Sequence, residues 1–359
     1  MSEPPRIAAI EVVTYEKTYT PESLGIGQFQ SQPIHQHPGK APAELVEPAT
    51  ASPGQRTTRG IFVEMTDDHG NTGRYGPLDA TQAGIIRDRI GPRIIGEDPV
   101  AVEKIHDLML RLDRHGRSGY FMTALSAIDC AVWDLKGKIL GQPVVRLLGG
   151  PVRESVPVYA SMLGFPVDPE QAAATAKEYQ SAGYRAQKWF FPWGPASGQE
   201  GIAGNLALAN ALRDAVGPHY PLMFDAFMGW DLPFARRMIR AIEPCDPFWM
   251  EEAVHPEHVE AFERLKDDCA VPLATGEHVY GRWQTLELLK SGAIDFLQND
   301  PDWTGGLTEQ THITSLASAY DVPVIAHGHS LLPALHLAAA RPPAVIPYVE
   351  FLIAHQYHK

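Results

Sequence analysis

The apolar positions of the chain fall into two arrangements that meet near Gly119. In the first, Ile7–Tyr15 and Arg59–Thr66 are rich in Val, Ile and Thr and read as strands. DDHGNTG, at Asp67–Gly73, is a turn between antiparallel strands, because Gly accepts positive φ there. Helical spacing follows over Ala80–Ile90 and Val100–Asp113, so residues 1–120 read as a small α+β domain. Inside it, Thr20–Gln55 carries much Pro, Gly, Gln and His with little periodicity. So long a connection is either locally disordered or a lid or binding loop, and it predicts a segment covering a substrate.

The second arrangement begins with a helix. Leu125, Ile128, Ala131, Val132 and Leu135 recur at helical spacing until Gly141 ends the pattern, and Asp129 and Asp134, with Lys136 nearby, read as structural ion pairs. From there strands and helices alternate. ESVPVYAS, YRAQKWFF, PLMFDAF, PFWMEEA, VPLATG, AIDFLQ and VPVIA are predicted strands, with AVIPYVEF as an eighth. The helices between them are Asp168–Ser181, Gly201–Val216, Pro233–Ile242, Pro256–Leu265, Trp283–Leu289, Leu307–Ala319 and Leu332–Ala339. Repetition of this unit seven or eight times predicts an α/β barrel over residues 121–359 rather than an open sheet. No GxGxxG follows an early strand and no GxxxxGK[ST] occurs, which removes dinucleotide and P-loop chemistry.

Composition narrows the class further. The formal charge of -13, from 43 acidic and 30 basic residues, leaves no basic patch for nucleic acid. The three cysteines are far apart and odd in number, which argues against a disulfide framework and for a reducing cytoplasm. The start MSEPPRIAAIEVV lacks a cationic region followed by an apolar one, and no run reaches the ~18 apolar residues of a membrane span. A soluble cytoplasmic protein acting on a small molecule, away from membranes, is the expectation.

Ionisable residues stand at the strand ends: Lys188, Asp225, Glu251, Glu277, Asp300 and His327. The spacings from Asp225 onward are 26, 26, 23 and 27 residues, about one strand, one helix and two loops each. A barrel delivers such ends to one rim. Asp225, Glu251 and Glu277 on successive strands would repel one another there, and a hard dication such as Mg²⁺ resolves that repulsion. The alternative for each is an ordinary loop acid at a helix N-terminus. Glu251 and Glu252 are adjacent, so only one can face the rim; Glu251 is favoured, with Glu252 turned to a neighbour. His327 is the natural proton carrier, with Asp300 one strand earlier to fix its tautomer, and His278 and His329 are rivals. Lys188 would pair with a substrate carboxylate or with the metal carboxylates. Two residues on, the same strand face carries Phe190, which moves no proton.

The set ALSAIDCAVWDLKGKILGQPVVRLLGG, QKWFFPWGP, FDAFMGWD, FWMEEAV, ATGEHVYGRW, DFLQNDPDWTGGLTE, VPVIAHGHS and PYVEF resembles the enolase superfamily over about Ile7–Phe351. Within it the chain looks like the mandelate racemase and muconate lactonizing enzyme branch, and most like its acid-sugar dehydratases of the L-rhamnonate type. The resemblance implies a modified (β/α)7β TIM-type barrel, an N-terminal capping domain, and one Mg²⁺ on Asp225, Glu251 and Glu277. It implies a His327–Asp300 dyad that abstracts the proton α to a carboxylate, with Glu350 near that carboxylate. Loss of a β-hydroxyl would then yield a 2-keto-3-deoxy acid. His35, His37 and Arg59 resemble cap residues that contact the distal part of a sugar acid, although Arg59 could instead pair with a protein carboxylate. Tyr280, Arg282 and Trp283 either reach substrate or pack their loop. Phe190 stands where the superfamily often has a second base, which favours one-base elimination over racemisation. Racemisation, epimerisation or cycloisomerisation of another carboxylate is the alternative reaction, and non-catalytic binding of an acid sugar or metal is the alternative class. The resemblance also implies a homo-oligomer and, after Glu350, several tens of further residues, so the C-terminal part reads as short.

Overall fold

In the computed structural model, residues 4–19, 33–37, 56–329 and 331–356 are described. Strands β1 (Ile7–Tyr19), β2 (Arg56–Asp67) and β3 (Thr72–Leu78) form an antiparallel sheet in the order β1-β2-β3. The β2–β3 turn closes on the Asp67 carboxylate, which accepts from His69 N (3.0 Å) and Asn71 N (2.7 Å). β3 lies against the helix Gly119–Leu140, and the approach is tight enough that a Cβ on Gly73 would overlap the Ala131 carbonyl.

Gly119–Leu140 packs on its other side against the helix Gly306–Ala319. It is apolar almost all round, as a helix covered on both sides must be, and it ends at Gly141 in the left-handed region (φ 61°). Its buried polar groups are matched across that contact. Asp129 accepts from Thr308 N (2.9 Å) and Thr308 Oγ1 (2.6 Å), and Trp133 Nε1 donates to Thr308 Oγ1 (2.9 Å). The expectation of an ion pair at Asp129 is therefore corrected to a hydrogen-bonded carboxylate. Asp134 does pair, with Lys138 (2.7 Å), while Lys136 lies over the Trp133 ring.

The remaining strands are β4 (Val158–Ser161), β5 (Gln187–Phe190), β6 (Leu222–Asp225), β7 (Trp249–Glu251), β8 (Leu273–Thr275), β9 (Phe296–Leu297) and β10 (Val349–Leu352). They make a parallel sheet in the order β10-β4-β5-β6-β7-β8-β9, with helices between successive strands. VPVIA, expected as a full strand, contributes a bridge from Val324 to Leu297, so the seventh strand position of the modified TIM barrel is held by one bridge. Pro323 has no N–H to give a ladder, and its carbonyl accepts from Leu297 N (3.0 Å) instead. The expected Ala80–Ile90 helix is broken into Ala80–Ile85 and a wider turn, Ile86–Ile90. Asp168 and Asp231 cap the helices after β4 and β6, accepting from Gln171 N (3.1 Å) and Phe234 N (2.8 Å), with Pro next in the first turn.

The barrel interior is layered. Tyr159, Ala186, Met223, Trp249, Ala274 and Ile325 form one apolar cluster. Two residues further along, the same strand faces carry Ser161, Lys188, Asp225, Glu251, Gly276 and His327. Side chains in an extended strand alternate between faces, so an apolar plug with period two places polar groups directly above it. Among the described residues, no helix is long and apolar enough to cross a membrane.

Candidate active site

Lys188 is the centre of the polar layer. Its Nζ lies 2.6 Å from Glu251 Oε1, 3.0 Å from Glu350 Oε1 and 3.4 Å from Asp225 Oδ2, and all four side chains are buried. Parallel register explains the convergence: Phe190 pairs with Asp225, and Asp225 with Glu251, across β5, β6 and β7. The second Glu251 oxygen accepts from Trp249 Nε1 (2.9 Å), and Glu350 Oε2 accepts from Gly328 N (2.8 Å). Burial alone would lower the Lys188 ammonium, but the Glu251, Glu350 and Asp225 carboxylates outweigh it and hold the group well above its usual range. Burial, then Glu251, pushes Asp225 well up. Burial also raises Glu350, but Lys188 and His327 overcome it and leave this carboxyl below its ordinary value.

The second group is built on the loops after β7, β8, β9 and Val324. His327 Nδ1 lies 3.2 Å from Asp300 Oδ2, and its Nε2 is 3.6 Å from Glu277 Oε2. The Asp300 carboxylate is fixed further by Asp302 N (2.7 Å) and His329 N (3.2 Å). Burial disfavours a charge on His327, yet Glu277 and Asp300 raise the imidazole to about 10. Burial pushes the Glu277 carboxyl up to about 7, against the pull of His327. Glu252, in the left-handed region at φ 38°, turns across to β8 and accepts from Thr275 Oγ1 (3.1 Å) while engaging His278 Nδ1 (2.9 Å). Burial works against a charged His278, but Glu252 carries it to about 9.

Among the described residues two groups offer ligand atoms all within 4.8 Å of one another: Glu252–Glu277–His278 and Asp67–Asp68–His69. The second is a surface turn whose Asp67 is already hydrogen-bonded within that turn. Asp225 and Glu251 do not close on Glu277 this tightly, because Lys188 Nζ bridges them. Glu277 Oε2 is nevertheless buried without a hydrogen-bond partner. An orphaned carboxylate oxygen beside carboxyls that burial and mutual repulsion push up is the electrostatic state a divalent cation relieves.

A cavity of about 500 Å³ opens beside this rim, lined by Pro77–Asp79, Gln82, Tyr120 and Thr123 on one side and by His278, Tyr280, Trp303 and His329 on the other. Lys188, Asp225, Glu251, Glu277, Asp300 and His327 are thus brought together at one rim, and Glu350, which only the resemblance implied, lies with them. Arg59 is not among them: it is exposed on β2 and pairs with Glu16 (2.6 Å). His37 is exposed next to the short turn Pro33–Gln36, and that turn lies near Pro195–Ser197. The side chain of His35, and residues 20–32 and 38–55 of the expected covering loop, lie outside what is described. Arg282 is committed to Glu309 (2.6 Å), and Trp283 is exposed on the following helix, while Tyr280 lines the cavity. Sequence reasoning missed Trp303, whose ring faces those of His278, His327 and His329 at 4.6–5.6 Å. Its only signal was a tryptophan three residues past a strand-end aspartate.

Residues 48–149 match the mandelate racemase / muconate lactonizing enzyme N-terminal domain, and residues 171–359 match the enolase C-terminal domain-like family. The chain belongs to the enolase superfamily, in its mandelate racemase and muconate lactonizing enzyme branch. It is 35% identical over 300 residues to L-rhamnonate dehydratase of Saccharopolyspora erythraea, covering 82% of this chain and 73% of that protein. The crystal structure of rhamnonate dehydratase from Gibberella zeae complexed with Mg superposes with a TM-score of 0.81 at 26% identity, over 99% of this chain and 86% of that one. The 3,6-anhydro-D-galactonate cycloisomerase from Zobellia galactanivorans follows the same fold, with a TM-score of 0.74 at 27% identity over 96% and 87% of the two chains.

Proposed function

We propose that this chain is a Mg²⁺-dependent hydro-lyase that dehydrates a sugar acid, an aldonate such as L-rhamnonate, to its 2-keto-3-deoxy acid. The observation that carries the reading is the His327–Asp300 pair facing Glu277, with Lys188 among the buried carboxylates of the same rim. Asp225, Glu251 and Glu277 would hold the cation; Glu252 and His278 are the weaker candidates, since each already satisfies the other (2.9 Å). When bound, Mg²⁺ stabilises the charge that develops on the substrate carboxylate. Asp300 holds the His327 ring through Nδ1, so Nε2 is the nitrogen that takes the α-proton once a cation on Glu277 offsets the charge that otherwise holds the imidazole protonated. The electrons of the broken C–H bond form the new double bond as the β-hydroxyl departs, and His327 returns the proton to that oxygen, releasing water. The enol then tautomerises to the ketone. Lys188 keeps its charge throughout and offsets carboxylate charge. Phe190, whose ring lies 5.3 Å from Lys188 Nζ, supplies no second base.

The test is a panel of five- and six-carbon aldonates with Mg²⁺, read as semicarbazide-reactive 2-keto acid. His327→Asn should abolish product, by about 10³-fold or more if this group moves both protons. Solvent deuterium exchange with inversion and no keto product would instead identify an epimerase or racemase. Calorimetric Mg²⁺ titration resolves the ligands: Glu251→Gln and Glu277→Gln should weaken binding at least about tenfold, and His278→Asn should not. Loss in His278→Asn and Glu277→Gln with Glu251→Gln unchanged would assign the cation to Glu252, Glu277 and His278.

A further inference from the structure

The His278 ring is held from several directions. Its Nδ1 lies 2.9 Å from Glu252 Oε2 and 3.4 Å from Glu277 Oε1, and Glu252 is anchored in turn by Thr275 Oγ1 (3.1 Å). The Phe227 ring meets the imidazole edge-on at 5.9 Å, and Trp303 lies against it at 5.5 Å, tilted by 36°. Two of these supports stand in backbone that residues other than glycine rarely adopt: φ is 38° at Glu252, 47° at Phe227 and 56° at the adjoining Met228. Met228 N donates to Glu252 O (2.6 Å), so the two strained loops lock to one another. Such conformations persist only where their surroundings fix them, and they gather where a side chain must be aimed.

What this support aims is Nε2. That nitrogen makes no hydrogen bond with any described residue, while the His278 side chain keeps 24% of its surface and lines the cavity of about 500 Å³. Tyr280, two residues on, lines the same wall, and its hydroxyl likewise has no hydrogen bond among the described residues. The polar groups opposite serve their own helices. Asp79 accepts from Thr81 N (2.6 Å) and Gln82 N (2.9 Å), Gln82 Oε1 accepts from Asp79 N (2.8 Å), and Thr123 Oγ1 donates to Tyr120 O (3.0 Å). A ring fixed through one nitrogen and two faces, with the other nitrogen open to a cavity, is arranged to meet a ligand.

We propose that His278, held by Glu252, is a specificity-determining residue whose Nε2 hydrogen-bonds a substrate hydroxyl beyond the β-carbon. This rests on the sugar-acid reading above. Glu277 lies between the two histidines, with Oε2 3.6 Å from His327 Nε2 and Oε1 3.4 Å from His278 Nδ1, and Trp303 faces both rings. A ligand with its α-carbon at His327 therefore leads along Trp303, past His278, into the cavity. With Nδ1 committed to Glu252, Nε2 accepts when the ring is neutral and donates when it is charged. A hydroxyl does both, so the match holds in either state, and an analogue lacking that hydroxyl is disfavoured.

The experiment crosses a substrate series with a side-chain series. The acids are the six-carbon aldonate turned over fastest with Mg²⁺ and its analogues lacking one hydroxyl beyond the β-carbon. The variants are His278→Asn, whose amide can stand in for Nδ1 and keep the Glu252 contact, and His278→Gln, whose amide can reach the place of Nε2. Circular dichroism establishes that each is folded, and His278→Leu replaces His278→Asn if that variant is not. In wild type one analogue should show a KM about tenfold above the parent acid, as for one lost hydrogen bond. In His278→Asn the parent KM should rise by that factor while that analogue's KM stays within about threefold of wild type, so the two deletions are not additive. His278→Gln should restore part of the preference. In His278→Asn, kcat and Mg²⁺ affinity should stay within about threefold of wild type. Equal KM for all the acids in wild type, a rise in His278→Asn shared by parent and analogues, a loss confined to kcat, or weakened Mg²⁺ binding would overturn the assignment. If wild type turns over no sugar acid, the dehydratase reading fails on its own. Calorimetric binding of six-carbon aldonates then decides this one: equal affinities in wild type and His278→Asn, or no binding by either, refute it.

Discussion

Replacing Lys188 by Met removes the one cation buried among Glu251, Glu350 and Asp225 and leaves its shape nearly intact. At an effective dielectric of about 20, unit charges at the observed 2.6, 3.0 and 3.4 Å attract by ~6, ~5 and ~5 kcal/mol. Most of that gross attraction offsets the desolvation of four charged groups and the repulsion among the three carboxylates. The measurable quantity is the cost of leaving buried charges uncompensated, ~3–5 kcal/mol when one partner of a buried pair is removed. Urea unfolding of the metal-free protein at pH 7.5 should therefore show Lys188→Met less stable by that amount, at an unchanged m-value. The deficit should depend on pH with a definite sign. Glu350 lies below its ordinary value of 4.5 chiefly because Lys188 and His327 overcome its burial, so this stabilisation is present above that value and is lost as pH falls through the lowered one. Without Lys188 the carboxyl takes up its proton earlier, so the gap between the two proteins should narrow on acidification from neutral pH. A deficit below about 1 kcal/mol, or one constant from pH 8 to pH 5, would refute the claim that Lys188 is the electrostatic centre of the rim.

Three further outcomes follow from the geometry. Burial raises the Asp129 carboxyl from 3.8 to about 6, so its ionisation costs stability as pH rises through that window; Asp129→Asn should gain on wild type by up to ~3 kcal/mol between pH 4 and pH 7 in chemical denaturation. Gly306, at φ +86° with the Asp129 side chain where a Cβ would stand, should lose ~2–4 kcal/mol as Ala, read as a shift of the urea midpoint at constant m. Asp300→Asn leaves the His327 ring with an amide in place of its carboxylate, and kcat should fall by about 10²-fold or more while the Mg²⁺ affinity stays within about threefold; an equal loss of both would mean that Asp300 supports the metal site instead.

The barrel was legible because each strand end is a local event. A short apolar run, an ionisable residue and a capped helix recur at near-constant spacing, and strand alternation then dictates that Lys188, Asp225, Glu251 and His327 share a face above Ala186, Met223, Trp249 and Ile325. That only one of Glu251 and Glu252 can face the rim followed from the same rule, and the fold decided which, with Glu251 on Lys188 and Glu252 on Thr275 and His278. The seventh strand was over-read, because an apolar run says nothing of whether its backbone finds a ladder beside Pro323.

What the sequence alone determined is thus the periodic part: which residues end the strands, what chemistry they carry, and that one rim collects them. Tertiary structure decided how those side chains pair, since that depends on distances across the barrel that no period encodes. It placed Lys188 as a bridge between Asp225 and Glu251, left Glu277 Oε2 without a hydrogen bond, and set Arg59 on Glu16 away from the rim. It also joined Tyr75 to Asp302, 227 residues apart, and so put His329 at the wall of the cavity. Contacts of that separation come from packing one sheet over another, and local propensity carries no trace of them.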